Sequence, residues 1–279
     1  MVSIEQIKEE IKNSVEFYKI RIKESLKGNV PDDYKYFSTS EFDLDLRVNG
    51  LTVEFSNLFD NSITDYKYNG LTNEVIINKK YLKRPDVNLG HLYMDIALNI
   101  AYYNPELKCS GFGTETYQAL NKGFREILTN CLTGTNRSSE YFESDEYVYA
   151  NLMTRIFDLS TFWRAYQENE PDYFRDELKH RSIEFGEKFS KINEIANRNY
   201  KVRNNKKELS SLDEIEYKLF DLILLDEPTK ESLEQFMSNM VASSKIFKDE
   251  KRYQRLDKLD VETEYKNYLE SLVPEQHII

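Results

Sequence analysis

His91-Leu92-Tyr93-Met94-Asp95 and, further along, Leu120-Asn121-Lys122-Gly123-Phe124-Arg125-Glu126 are the two runs on which the reading of this 279-residue chain turns. The first lies in a segment, 88–103, where Leu89, Leu92 and Ile96 recur at three- and four-residue steps, the spacing of one helix face. His91 and Asp95, four apart, share a face of that helix. The second run belongs to another helical segment, 116–133. Between them, Cys109-Ser110-Gly111-Phe112-Gly113 has the composition of a loop. A third helical segment, 143–158, follows, with Tyr141 just ahead of it and Glu146, Tyr147 and Tyr149 within it.

Upstream of this helical stretch the pattern changes period. Phe42, Leu44 and Leu46 alternate with Asp43, Asp45 and Arg47, and Leu51, Val53 and Phe55 alternate with Thr52 and Glu54. Alternation is strand period, and Asn49-Gly50 between the two runs is a hairpin signal. Tyr66-Lys67-Tyr68-Asn69-Gly70 and Glu74-Val75-Ile76-Ile77-Asn78 read as a second strand, turn and strand. A small antiparallel sheet over 42–80 is therefore expected. Ahead of it, Ile4, Ile7, Ile11, Val15, Tyr18, Ile22 and Leu26 predict one amphipathic helix over 3–27, opened by a Ser3/Gln6 capping box and stopped near Gly28. Beyond residue 158, helical spacing continues over 161–168, 171–197, 211–226, 230–247 and 261–272. The polar run Asn204-Asn205-Lys206-Lys207 marks a boundary. The expected organisation is an N-terminal helix (1–28), an α+β body (29–204) and a C-terminal helical appendage (205–279).

Composition narrows the function classes. Lys and Arg total 38 against 49 Asp and Glu, a net charge of −11, which disfavours a nucleic-acid partner. The basic residues Lys245, Lys248, Lys251, Arg252, Arg255 and Lys258 are interleaved with Asp249, Glu250, Asp257 and Asp260 and read as a solvated helix face. Hydrophobic residues at 40% and aromatics at 13% supply a core, so wholesale disorder is excluded. Nine Gly and six Pro are too few for an all-β fold with many tight turns. No run reaches the roughly 20 apolar residues of a membrane span, and the charged start of the chain lacks the apolar centre of a secretory signal. A cytoplasmic location is expected, with Cys109 and Cys131 as reduced thiols.

Two short motifs do not carry the chemistry they suggest. Leu222-Ile223-Leu224-Leu225-Asp226-Glu227-Pro228-Thr229 looks like the metal-binding strand of an ABC-type ATPase, but the chain has no GxxxxGK[ST] phosphate cradle. Ser211 and Glu214 form a capping box, so the run reads as a helix that Pro228 stops. Ser38-Thr39-Ser40 resembles part of an ADP-ribosylating toxin site, but Glu115-Thr116-Tyr117 does not complete a Glu-x-Glu.

The order of sheet, His91 helix and Leu120-Asn121-Lys122-Gly123-Phe124 helix resembles the core of gluzincin-type zinc metallopeptidases over about residues 65–160. In that family an HExxH helix supplies two zinc-binding histidines and a general-base glutamate, and an Asn-Glu-Gly motif on a second helix supplies the third ligand. The resemblance implies a zincin-like body with a degenerate site. His91 matches the first ligand. Leu92 stands at the general-base position and cannot accept a proton; Asp95 replaces the second histidine, and Lys122 puts an ammonium where the third ligand belongs. Gly123, Phe124 and Glu126 keep the pattern. If Lys122 reaches the vacated metal position, it is expected to pair with Asp95 and hold the two helices together.

The function expected is that of a non-catalytic pseudo-metallopeptidase, without catalytic residues or cofactor, that binds a protein or peptide. Tyr93, Tyr141, Tyr147 and Tyr149 are the expected lining of its cleft, since tyrosine supplies a large contact area with a polar tip. One alternative is a divergent metal-dependent hydrolase with His91, Asp95 and Glu126 as a weak mixed nitrogen/oxygen site. Another is a helical interaction or immunity-type protein with no peptidase ancestry.

Overall fold

The structure is a computed structural model that describes residues 3–26, 41–56, 65–85, 87–134, 145–154, 157, 159–202 and 231. The boundary near Asn204, the helices expected over 211–226, 230–247 and 261–272 (Glu231 apart), the basic run at 245–258, both declined motifs and Tyr141 lie outside the described residues.

The fold class is α+β, as expected. Helix α1 spans Ile4–Leu26. Ser3 N–H donates to Gln6 Oε1 at 2.9 Å and Gln6 N–H donates to Ser3 Oγ at 3.1 Å, so the capping box forms. Ile7, Ile11, Val15 and Tyr18 form its buried stripe, and α1 packs against the later helix α4, so it shares the core of the body.

The stretch expected as the first strand is instead helix α2, Glu41–Asn49. Leu44 is fully buried and Val48 packs on the core, while Leu46 is 56% exposed, so burial follows a four-residue step rather than alternation. Asn49-Gly50 accordingly ends a helix, with Gly50 N–H donating to Leu46 O at 2.9 Å, and makes no hairpin. Lys19 of α1 pairs with Asp45 and fastens α2 to the first helix.

Strands β1 (Thr52–Ser56), β2 (Tyr66–Asn69) and β3 (Glu74–Asn78) form a sheet of order β1-β3-β2. The hairpin β2–β3 is antiparallel as expected, with Tyr66 opposite Ile77 and Tyr68 opposite Val75. The sheet as a whole is mixed rather than antiparallel, because β1 joins β3 in parallel with Val53 opposite Val75. Helix α2 replaces the hairpin partner that β1 would have needed. Val53, Tyr66, Val75 and Ile77 are buried, leaving β2 on the sheet's edge among the described residues.

After the short α3 (Lys79–Leu82), helix α4 spans Leu89–Ala101, with Asn88 Oδ1 accepting from His91 N–H at 3.2 Å. Strands β4 (Tyr103–Asn104) and β5 (Cys109–Ser110) form a two-stranded antiparallel ribbon. Helices α5 (Gln118–Thr133), α6 (Asp145–Met153), α7 (Leu159–Gln167), α8 (Asp172–Lys179) and α9 (Ile183–Val202) follow. The single helix expected over 171–197 is thus two, interrupted at 180–182, where Ser182 Oγ accepts from Phe185 N–H at 3.1 Å and caps α9. Phe112, Phe124, Phe157, Phe162 and Phe174 fill the space between these helices, mostly edge-to-face.

Candidate functional site

Helices α4 and α5 pack on one another, and their facing residues converge. His91, Leu92 and Asp95 from α4 and Lys122 and Glu126 from α5, with Asp65 and Tyr81, surround a space of only about 10 Å³. That is room for about one water molecule. All seven residues are buried. The five positions singled out in the sequence therefore meet, although 31 residues separate His91 from Lys122.

The ion pairs differ from the expected one. Asp95 Oδ1 accepts from Arg125 Nε at 2.8 Å, while Lys122 Nζ lies 3.5 Å from Asp65 Oδ2. Lys122 therefore pairs with the residue ahead of β2, and Asp95 takes the guanidinium three residues beyond Lys122 on the same helix. Both Asp65 and Arg125 escaped the sequence reading. Arg125 carried a signal, since a residue three beyond Lys122 shares its face of α5. Asp65 carried none, because only the return of the chain into β2 brings it there.

The Asp65 carboxylate and the backbones of both aspartates are anchored further. Asp65 Oδ1 accepts from Tyr66 N–H at 2.8 Å, and Asp65 O accepts from Asn78 N–H at 2.8 Å. The buried Tyr66 hydroxyl donates to Asp95 O at 3.2 Å and accepts from Asn99 Nδ2 at 3.2 Å. Burial by itself raises the pKa of Asp95. The charges of Arg125 and Lys122, the Arg125 hydrogen bond and the nearby His91 more than offset this and hold it at about 2. Burial likewise works against the Arg125 cation, but Asp95, Tyr66 and Tyr166 outweigh it and its pKa is raised. Both groups are thus charged at neutral pH.

His91 Nε2 is 2.7 Å from Asn130 Oδ1. This hydrogen bond ties the His91 ring on α4 to α5. Leu92 is an ordinary core residue, 3% exposed. Among the described residues no three His, Cys, Asp or Glu side chains stand together in a way that could hold a metal ion. The side chains around the small space are a poor donor set for zinc, since Arg125 engages the Asp95 carboxylate and Lys122 contributes an ammonium.

The rest of the second run has structural work. Asn121 Oδ1 accepts from Phe112 N–H at 3.0 Å and its Nδ2 donates to Ser110 O at 3.0 Å, fastening the β5 loop to α5. A Cβ on Gly123 would stand 1.9 Å from the carbonyl oxygen of Glu146, so only glycine lets α6 approach this closely. Phe124 is fully buried in the aromatic core.

The expected tyrosine cleft is not where the open space lies. Tyr93 and Tyr149 are core residues, and Tyr147 packs partly buried against the same core. A cleft of about 630 Å³ opens instead on the other side of Lys122 and Arg125, between strand β2, the β4–β5 ribbon and the first turns of α5. Tyr66, Tyr68, Tyr103 and Tyr200 line it, so the residue type was expected but the positions were not. Tyr103 lies against Gly70, where a Cβ would come within 2.3 Å of its ring, and Arg47 stacks on it at 4.9 Å.

The chain matches no protein-family model, no curated protein and no solved structure among those compared with it. Among the described residues no helix is long and apolar enough to cross a membrane.

Proposed function

We propose that this chain is a non-catalytic relative of the gluzincin-type metallopeptidases that acts as a protein- or peptide-binding scaffold or regulator in the cytoplasm. The observation that carries this reading is the filling of the converged α4–α5 site. Five residues at positions matching the family's motifs surround one small space, and two internal ion pairs close it where the family would hold a metal. General-base catalysis supplies about 10²–10⁴ in rate, and Leu92 cannot supply it. The role this reading gives the site is structural, with Lys122 and Arg125 joining α5 to Asp65 ahead of β2 and to α4.

Binding is then the role left to the surface. The 630 Å³ cleft beside the filled site has aromatic walls and an edge strand, two features suited to an extended peptide. Metal analysis of the purified, untagged full chain, dialysed without chelator, tests the reading. Substoichiometric metal and an unchanged melting temperature on adding zinc are expected. One equivalent of zinc per chain would overturn it in favour of a hydrolase using His91, Asp95 and Glu126.

A further inference from the structure

The cleft differs in charge from the molecule that carries it. The chain as a whole has a net charge of −11. Among the described residues, however, Lys67, Lys108, Lys122 and Arg125 line the cleft against one carboxylate, Asp65. Counting Asp95, which lies behind Arg125, two carboxylates face four cations and the excess remains positive. Lys122 and Arg125 are buried and held by their ion pairs, so their positions are fixed by the fold. Lys67 on β2 and Lys108 in the β4–β5 turn are exposed and can swing toward a ligand.

Two backbone features add to this. Gln118 opens α5 on the cleft wall, so the positive end of a 16-residue helix dipole faces the space. Strand β2 offers an unpaired edge among the described residues, along which an extended chain can form main-chain hydrogen bonds. Side chains on one face of such a chain recur about every 7 Å. Carboxylates at alternate positions would then meet cations spread along the cleft.

We infer that the cleft selects an acidic peptide segment, bound extended beside β2 with its carboxylates facing Lys67, Lys108 and the α5 cations. The inference rests on the peptide-binding reading above and adds the chemistry of the partner.

Fluorescence polarisation with three labelled hexapeptides tests it, using the full chain. Each peptide alternates threonine with glutamate, glutamine or lysine. The glutamate peptide is expected to bind about tenfold tighter than the glutamine one, the sum of a few exposed charge pairs. Added salt should erase this preference. The exposed double variant Lys67→Glu/Lys108→Glu should also erase it while leaving the circular dichroism unchanged. Equal binding of the glutamate and glutamine peptides, or a preference that survives the double variant, would overturn the acidic selectivity and leave the peptide-binding reading standing. Binding of none of the three would overturn both. Saturable citrate binding without peptide binding would assign the cleft to a small anion instead.

Discussion

Asp95 shows how a buried charge is held in place. With Arg125 on one side and Lys122 beyond, its carboxyl stays ionised in the interior with a pKa of about 2, against 3.8 for an ordinary aspartate. Because the folded value is the lower one, this ionisation stabilises the fold fully above about pH 4. The contribution, about 2 kcal/mol, is lost as pH falls through about 2. Asp95→Asn leaves the buried Arg125 without its counter-charge and should cost about 3–5 kcal/mol at pH 7. Urea midpoints taken from pH 5 to pH 2 should show the gap between wild type and variant closing by about 2 kcal/mol; a gap independent of pH would mean that Asp95 is not ionised by its neighbours. The pairing itself could not be read from spacing. Asp95, Lys122 and Arg125 are all visible in the sequence, but which cation takes which carboxylate depends on Asp65, whose approach is set by the strand that follows it.

At the scale of elements, the contact of α5 with α6 depends on the absence of one carbon. Gly123 faces the backbone of Glu146, and a methyl group there must push the helices apart. Gly123→Ala should lower stability by about 1–3 kcal/mol, the range for overpacking a tight contact, despite alanine's higher helix propensity. Equilibrium urea unfolding would decide this, and a variant as stable as wild type would mean that the helices adjust freely. The helices with a long stripe of buried residues were legible: α1, α4 and α5 begin and end within two residues of their expected bounds. Helix α2 was not. Its Asp-Leu-Asp-Leu alternation fits strand period, but Leu44 and Val48 pack on the core while Leu46 between them is exposed, and a nine-residue element offers too few buried positions to distinguish periods of two and four. The mixed sheet follows from the same misreading, since a strand that loses its hairpin partner can pair elsewhere.

For the whole molecule, the proposed metallopeptidase likeness turns on the packing of α4 on α5, and it can be tested by building a site there. The triple variant Leu92→Glu/Asp95→His/Lys122→Glu places a glutamate next to His91 and two further metal-binding side chains around the same space. If the likeness is one of geometry, the folded variant should bind about one zinc per chain, against substoichiometric zinc expected for the wild type. Zinc content measured together with circular dichroism reads the outcome, and a folded variant without zinc would mean that the two helices cross at the wrong distance or angle. A metal held through His91 Nε2 would have to displace its Asn130 hydrogen bond, which would place the affinity below that of a site evolved for zinc.

The amino-acid sequence by itself determined the α+β class, the principal helices, the β2–β3 hairpin and which side chains the α4–α5 space can draw on. Each of these follows from local periodicity or from what a side chain can and cannot do: leucine takes no proton in any fold. Tertiary structure decided the rest. It brought Asp65 to Lys122 and Arg125 to Asp95, sent Tyr93 and Tyr149 into the core, and gathered four cations around a cleft in an acidic chain. These are contacts between residues far apart in the chain, and their selection rests on how whole elements pack, which no local spacing encodes.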